Sequence, residues 1–107
     1  MSRYQFTTQA QQDLIQIRRF TLKQWGSKQS MSYLEELKKT LGLLSEMPLM
    51  GRNCSDDVGK DIYRFIYGSH AIYYLTMPDS IIIVAILHQS MVPENHLGNF
   101  SHLIPQF

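Results

Sequence analysis

The side chains able to do chemistry in this 107-residue chain are few and widely spaced. His88 closes an apolar run and can act as a general base toward a hydroxyl. Arg64 stands among apolar neighbours and can grip a carboxylate or a phosphate with its planar fork. Arg52 lies in a polar, glycine-punctuated stretch and can touch a target. Each has a plainer reading. A strand-end histidine is more often structural or solvated. An arginine in Arg64's place can simply break up a sticky face, and Arg52 can cap its own loop. His70 falls beside a turn and reads as a packed core histidine. Tyr63, Phe65, Tyr67 and Tyr74 resemble a base-stacking platform, but strand parity points them into the core. Arg18, Arg19, Lys23 and Lys28 cluster on a helix and its exit and read as a solvated face. The four histidines and the single Cys54 show no metal-ligand spacing. The chain has neither a glycine-rich phosphate loop nor a Ser/His/Asp arrangement. No cofactor and no metal are implied.

The elements that position these groups follow from periodicity. Tyr4 to Thr7 is a short strand. Thr8 to Gln11 fits a capping box, with Thr8 as its acceptor. Ala10, Leu14, Ile17, Thr21 and Trp25 recur at helical spacing, and Ile15 and Leu22 widen the stripe. Gly26 ends this helix. A second helix buries Met31, Leu34, Leu37, Leu41 and Leu44 and stops at Met47-Pro48. The short connection makes an antiparallel helical hairpin. Residues 48–60 read as a long polar loop. Three strands follow, Ile62–Tyr67, His70–Met77 and Ser80–His88, joined by turns at Gly68-Ser69 and Pro78-Asp79. The order β-α-α-β-β-β gives an α+β fold, with the helical hairpin packed on one face of an antiparallel sheet.

A chain of this length is one domain with a core large enough to fold alone, here residues 1–107 with 94–107 as a C-terminal extension. Ten basic and nine acidic residues give a net charge of +1, which argues neither for nor against a nucleic-acid partner. Sixteen of those nineteen charges precede Ile62. The lone cysteine permits no intrachain disulfide, in keeping with a reducing compartment. The N-terminal residues show no apolar signal region, and the uncharged segment Ser80 to Pro93 is too short to span a bilayer. The chain reads as soluble and cytoplasmic, with no membrane partner.

From Tyr63 to Pro93 the only fixed charges are Arg64 and Asp79. A sheet built from that run is apolar on both faces, and the helices can cover one. Strict alternation puts Tyr63, Phe65, Tyr67, Ile72, Tyr74, Ile83, Ala85 and Leu87 on one face. It puts Ile62, Arg64, Ile66, Ala71, Tyr73, Leu75, Ile82, Val84, Ile86 and His88 on the other. An unpaired buried charge is costly, so the Arg64 face points away from the helices. An open apolar face on a small protein marks an interaction site. Ile62, Arg64, Ile66, Tyr73, Leu75, Ile82, Val84 and Ile86 are therefore expected to bind a partner chain, with Arg52, Arg64 and His88 as target contacts. The competing expectation is that residues 92–107, with Leu97, Phe100, Leu103, Ile104 and Phe107, fold back over that face.

Several local patterns resemble the ParE toxins of the RelE/ParE superfamily. They are TTQAQQDLIQIRRFT on the first helix, QWG at the helix connection, MPLMGR after the second helix, and YRFIYGSHAIYYL followed by ILHQSMVP. Together they span residues 4 to about 93. The resemblance implies a bacterial toxin neutralised by a cognate antitoxin in a hetero-oligomer. It also implies an inhibitor of DNA gyrase that traps cleaved DNA by protein binding, without enzymatic chemistry or sequence-specific nucleic-acid binding. The antitoxin would lie on the apolar face just described. The segment after Pro93 exceeds the usual family core.

RelE-like relatives on the same fold cleave messenger RNA on the ribosome. That reaction needs a base for the 2′-hydroxyl, cations for the scissile phosphate and an acid for the leaving oxygen. Arg64 falls where such enzymes are basic, and His88 where one branch has a histidine. Ala71 replaces an arginine that binds phosphate in those enzymes, and Gln89 replaces a tyrosine. These departures weigh against RNA cleavage. A ribosome-dependent endoribonuclease, or a non-toxic binding module that depends on a partner, remain the alternative expectations.

Overall fold

The computed structural model describes residues 3–54 and 62–88. Strand β1 (Tyr4–Phe6) leads into helix α1 (Thr8–Trp25), and Gly26 alone separates it from α2 (Ser27–Glu46). A short 3₁₀ turn (Pro48–Met50) precedes β2 (Arg52–Asn53). Then come β3 (Ile62–Tyr67), β4 (His70–Thr76) and β5 (Ile81–His88). The sheet order is β1-β5-β4-β3-β2.

The helices end where their residues require it. Gly26 adopts φ 88°, a left-handed conformation that glycine takes without strain, and its N–H donates to the Leu22 carbonyl at 3.1 Å. Pro48 occupies the first position of the 3₁₀ turn and cannot extend α2. The N-cap of α1 is Thr7 rather than the expected Thr8, and its Oγ1 accepts from Ala10 N at 3.1 Å. Thr21 and Ser30 tie the helices together through hydroxyls 2.6 Å apart, both buried. The hairpin lays Ala10, Ile17, Leu37, Leu41 and Leu44 on the sheet, against Ile72, Tyr74, Ile81, Ile83 and Ile86.

The sheet is mixed. β3, β4 and β5 form the expected antiparallel meander, and the pair Tyr67↔His70 closes on a two-residue turn with Gly68 at φ 56°. β1 adds in parallel beside β5, pairing Tyr4↔Ile81 through Phe6↔Ile83. β2 adds beside β3 within the stretch read from sequence as loop.

A bulge interrupts the alternation of β5. Tyr73 pairs with Ala85 but Tyr74 pairs with Ile83, so Val84 is the extra residue. The helix N-terminus supports it from the side that β1 leaves open. Thr7 N donates to the Ile83 carbonyl at 3.0 Å, and Thr7 Oγ1 donates to the Val84 carbonyl at 2.8 Å. Asp13 Oδ2 accepts from Ile86 N at 2.9 Å. These partners satisfy backbone groups that a regular ladder would have paired.

The bulge corrects the assigned faces beyond it. Ile86 packs with the helix-side core and not with the Arg64 face. Ala85 and Leu87 join Ile62, Ala71, Tyr73 and Val84 on the face away from the helices. His88, paired with His70, lies on the helix side, where its ring meets Phe20 of α1 with centroids 6.2 Å apart.

Candidate functional site

The face away from the helices was expected to stand open. It is buried within the single chain: Ile62, Ile82 and Val84 are inaccessible or nearly so, and Tyr73 keeps 3% of its surface. Leu75 is partly covered, and Ile66, 42% exposed, is the large apolar side chain of that face that reaches solvent. Residues 92–107, the alternative cover weighed from sequence, lie outside the described residues.

Two of the three expected target contacts come together. Arg52 of β2 and Arg64 of β3 are direct cross-strand partners, and Arg64 is in turn opposite Tyr73 of β4. Directly opposed residues hold their Cβ atoms about 5 Å apart. The pairing brings the stems of two cationic side chains to one place on the sheet, within reach of a single acidic group on a target. Arg52 is exposed, Arg64 is half-buried, and Ile66 follows Arg64 along the same face of β3. The result is a small exposed surface of two cations beside one aliphatic side chain.

His88, the third, is elsewhere. The bulge rotates it to the helix side, so it and Arg64 project from opposite faces of the sheet. The base and the cation of a ribonuclease would have to meet on one scissile phosphate. These two do not.

His88 belongs instead to an aromatic cluster at the far end of the helical hairpin. Its ring stands edge-on to His70 at 5.6 Å. The Tyr33 hydroxyl lies 2.7 Å from His70 Nδ1 and donates to the Tyr67 carbonyl at 3.2 Å. The Tyr67 hydroxyl donates back to the Tyr33 carbonyl at 2.8 Å, so α2 and the β3–β4 turn are joined twice. Trp25 and Phe20 extend the cluster along α1. Burial, and then the charge of His88, push His70 down to about 4. His70 is therefore neutral at pH 7 and works as a packed, hydrogen-bonded ring. A hollow of about 420 Å³ lies beside the two histidines, bordered by Gln16, Ile17 and Phe20.

Tyr63, Phe65, Tyr67 and Tyr74 all pack toward the helices, which removes them as a stacking platform. Tyr74 is fully buried, and its hydroxyl donates to the Pro48 carbonyl at 2.6 Å and accepts from Gly51 N at 3.0 Å. That link anchors the segment leading to Arg52. A Cβ on Gly51 would overlap the Tyr74 hydroxyl, so glycine is what lets the chain approach. Among the described residues no group of three or more His, Cys, Asp or Glu side chains is placed to hold a metal. None of their helices is long and apolar enough to cross a membrane.

Comparison with known proteins places this geometry in a family. Residues 4–93 match the family model described as the ParE toxin of the type II toxin–antitoxin system parDE. The chain is 32% identical over 98 residues to the toxin ParE1 of Caulobacter vibrioides, covering 92% of this chain and all of that protein. It is 33% identical over 97 residues to the toxin ParE1 of Mycobacterium tuberculosis, covering 90% of this chain and 98% of that one. Among solved structures, a chain of a chromosomal ParDE toxin–antitoxin system from P. aeruginosa superposes with a TM-score of 0.67. That match covers 82% of this chain and 96% of the other at 14% identity, and it speaks for the fold alone.

Proposed function

The chain belongs to the ParE toxin family of type II toxin–antitoxin systems, and from that premise we propose that it is neutralised by a cognate antitoxin and poisons DNA gyrase. It acts in the cytoplasm by binding, trapping the enzyme with its DNA cleaved, and does no chemistry of its own. The observation that carries this reading is the continuous family match over residues 4–93. The separation of Arg64 and His88 supports the binding mechanism, because the remnant of a ribonuclease site is split across the sheet. Arg52, Arg64 and Ile66 are the surface proposed for the target: two cations suited to acidic side chains or DNA phosphate, with an aliphatic contact beside them.

The test is a supercoiling and DNA-cleavage assay with purified gyrase and antitoxin-free protein. Lost supercoiling together with accumulated linear DNA is the expected result. Arg64→Glu and Arg52→Glu should each raise the concentration needed by about tenfold, and the pair by more. His88→Ala should leave inhibition unchanged. A gyrase that works normally beside folded protein sinks the target assignment, and messenger-RNA cleavage on ribosomes is then the assay to run.

A further inference from the structure

The helical hairpin covers one face of the sheet. No described element lies over the other face, yet that face is equally buried. From Ile81 to Leu87, β5 is apolar at every position, the pattern of a strand covered on both sides. On the face away from the helices, Ile62 of β3, Tyr73 of β4, and Val84 and Leu87 of β5 keep 0%, 3%, 0% and 3% of their surface. Among the described residues their cluster is drawn from β3, β4 and β5 alone. The hairpin packs on the opposite face, and β1 and β2 extend the sheet sideways. Side chains stand roughly perpendicular to a sheet. Neighbours about 5 Å apart shield each other's flanks and leave the tips bare. The near-complete burial of a large ring such as Tyr73 therefore calls for a second layer above it.

Two stretches of chain are long enough to supply that layer, and their composition separates them. Residues 55–61, SDDVGKD, hold three aspartates, one lysine and a single apolar side chain, Val58. Laying those charges on an apolar face would strip them of water at a high cost. Residues 89–107 carry one charged side chain, Glu94, and Leu97, Phe100, Leu103, Ile104 and Phe107 lie in their last eleven positions. They also begin in the right place, because β5 ends at His88, one residue after Leu87 of the buried face. Nineteen residues reach up to about 60 Å when extended. The distance from β5 across β4 to β3 is about 10 Å. The family match stops at residue 93, so most of this stretch is an addition peculiar to the chain.

We propose that residues 89–107 turn back from the end of β5 and seat their apolar side chains on Tyr73, Val84 and Leu87, so that the chain supplies its own cover for the second face of the sheet. The cover stops short of the β3–β4 turn, where Ile66 remains 42% exposed. It therefore leaves Ile66, with Arg52 and Arg64, at the open margin of the face. A face closed from within is not available to a partner chain. Neither gyrase nor an antitoxin enters this assignment, which stands on the burial of the sheet and the composition of the two stretches.

The experiment uses the full chain. A nitroxide is attached at Ser101→Cys, the native Cys54 being buried, and methyl signals are followed by nuclear magnetic resonance. The label should broaden Val84 and Leu87 strongly and leave Ile15, on the outer side of α1, sharp. Phe100→Asp and Ile104→Asp then put carboxylates under the cover. Each should lower the melting temperature by about 10 °C and raise the fluorescence of an apolar-surface dye several-fold. Val58→Asp should melt as the parent does. Sharp Val84 and Leu87 signals in the labelled protein, with parental melting in both tail variants, would overturn the proposal. So would a loss confined to Val58→Asp, which would move the cover to residues 55–61. Nitroxide-labelled chains mixed with isotope-labelled chains that carry no nitroxide test the remaining occupant. Broadening of Val84 in that mixture would assign the tail to the face of a second copy and refute closure within one chain; sharp signals there, beside broadening in the singly labelled chain, are the expected result.

Discussion

Removing the Asp13 carboxylate tests whether the bulge in β5 is held from outside the strand. Asp13 is 9% exposed, and its Oδ2 is the acceptor for Ile86 N at 2.9 Å. The other oxygen accepts from Gln9 Nε2 at 2.8 Å, one helical turn away. A hydrogen bond to a charged acceptor contributes about 1.5–3 kcal/mol, and its loss strands a buried N–H. The Gln9 pair is partly exposed and adds a few tenths at about 0.2–0.5 kcal/mol. Alanine returns roughly 0.5 kcal/mol through its better helix propensity. Asp13→Ala should therefore destabilise by about 2 kcal/mol, on the order of 10 °C in melting temperature for a domain of this size. Asp13→Asn keeps a carbonyl for Ile86 N and should lose about half as much. Urea unfolding followed by far-ultraviolet circular dichroism gives the free energies. Amide exchange gives the location, since Ile86 should lose protection before its neighbours on β4. An alanine variant within about 0.5 kcal/mol of the parent, with Ile86 still protected, would refute the claim that Asp13 holds the bulge.

Three further outcomes follow from the same geometry. His70 titrates near 4 in the fold against an ordinary 6.5, so the unfolded chain binds the proton more readily between those values. The stability it confers is complete above pH 6.5 and is lost as pH falls through about 4. That component reaches at most about 3 kcal/mol; it should be missing from the urea-unfolding pH profile of His70→Gln when compared with the parent. Gly51→Ala should destabilise by about 1–3 kcal/mol, because its methyl displaces the Tyr74 hydroxyl from Gly51 N and the Pro48 carbonyl; Tyr74→Phe should remove most of that difference in a double-mutant cycle. Leu37→Ala opens a cavity beneath α2 and should cost about 2–5 kcal/mol in chemical denaturation.

Much of this fold could be read because its punctuation is local. Gly26 needs only its own backbone freedom to end α1, Pro48 only its ring to stop α2, and Gly68-Ser69 only two residues to set the β3–β4 register. The parts that were misplaced depend on distant partners. β1 lies beside β5, more than seventy residues further along the chain, and nothing within Tyr4–Phe6 announces a parallel neighbour. Thr7 outcompetes Thr8 as N-cap because its hydroxyl serves two masters: it accepts from Ala10 N and donates to the Val84 carbonyl. The second bond exists only once the sheet has formed.

The candidate site was less legible, and one residue accounts for most of that. Alternation reveals a face only where polar and apolar residues take turns. From Ile81 to Leu87 the strand reads IIIVAIL, apolar at every position. A slip of one residue there exchanges an apolar side chain for another, so the pattern carries no penalty for the wrong register. The bulge at Val84 takes that silent option. It moves Ile86 to the helices and brings Ala85 and Leu87 away from them, and at the end of the strand it carries His88 across the sheet. The two residues that made RNA cleavage a competing expectation are thereby parted by an irregularity that neither specifies. The residues that do specify it are Thr7 and Asp13, and their signal was present: a buried-stripe position on α1 occupied by a carboxylate, one turn after Gln9. An acid on the core side of a helix needs a donor, and the unpaired edge of β5 beyond β1 is where donors remain.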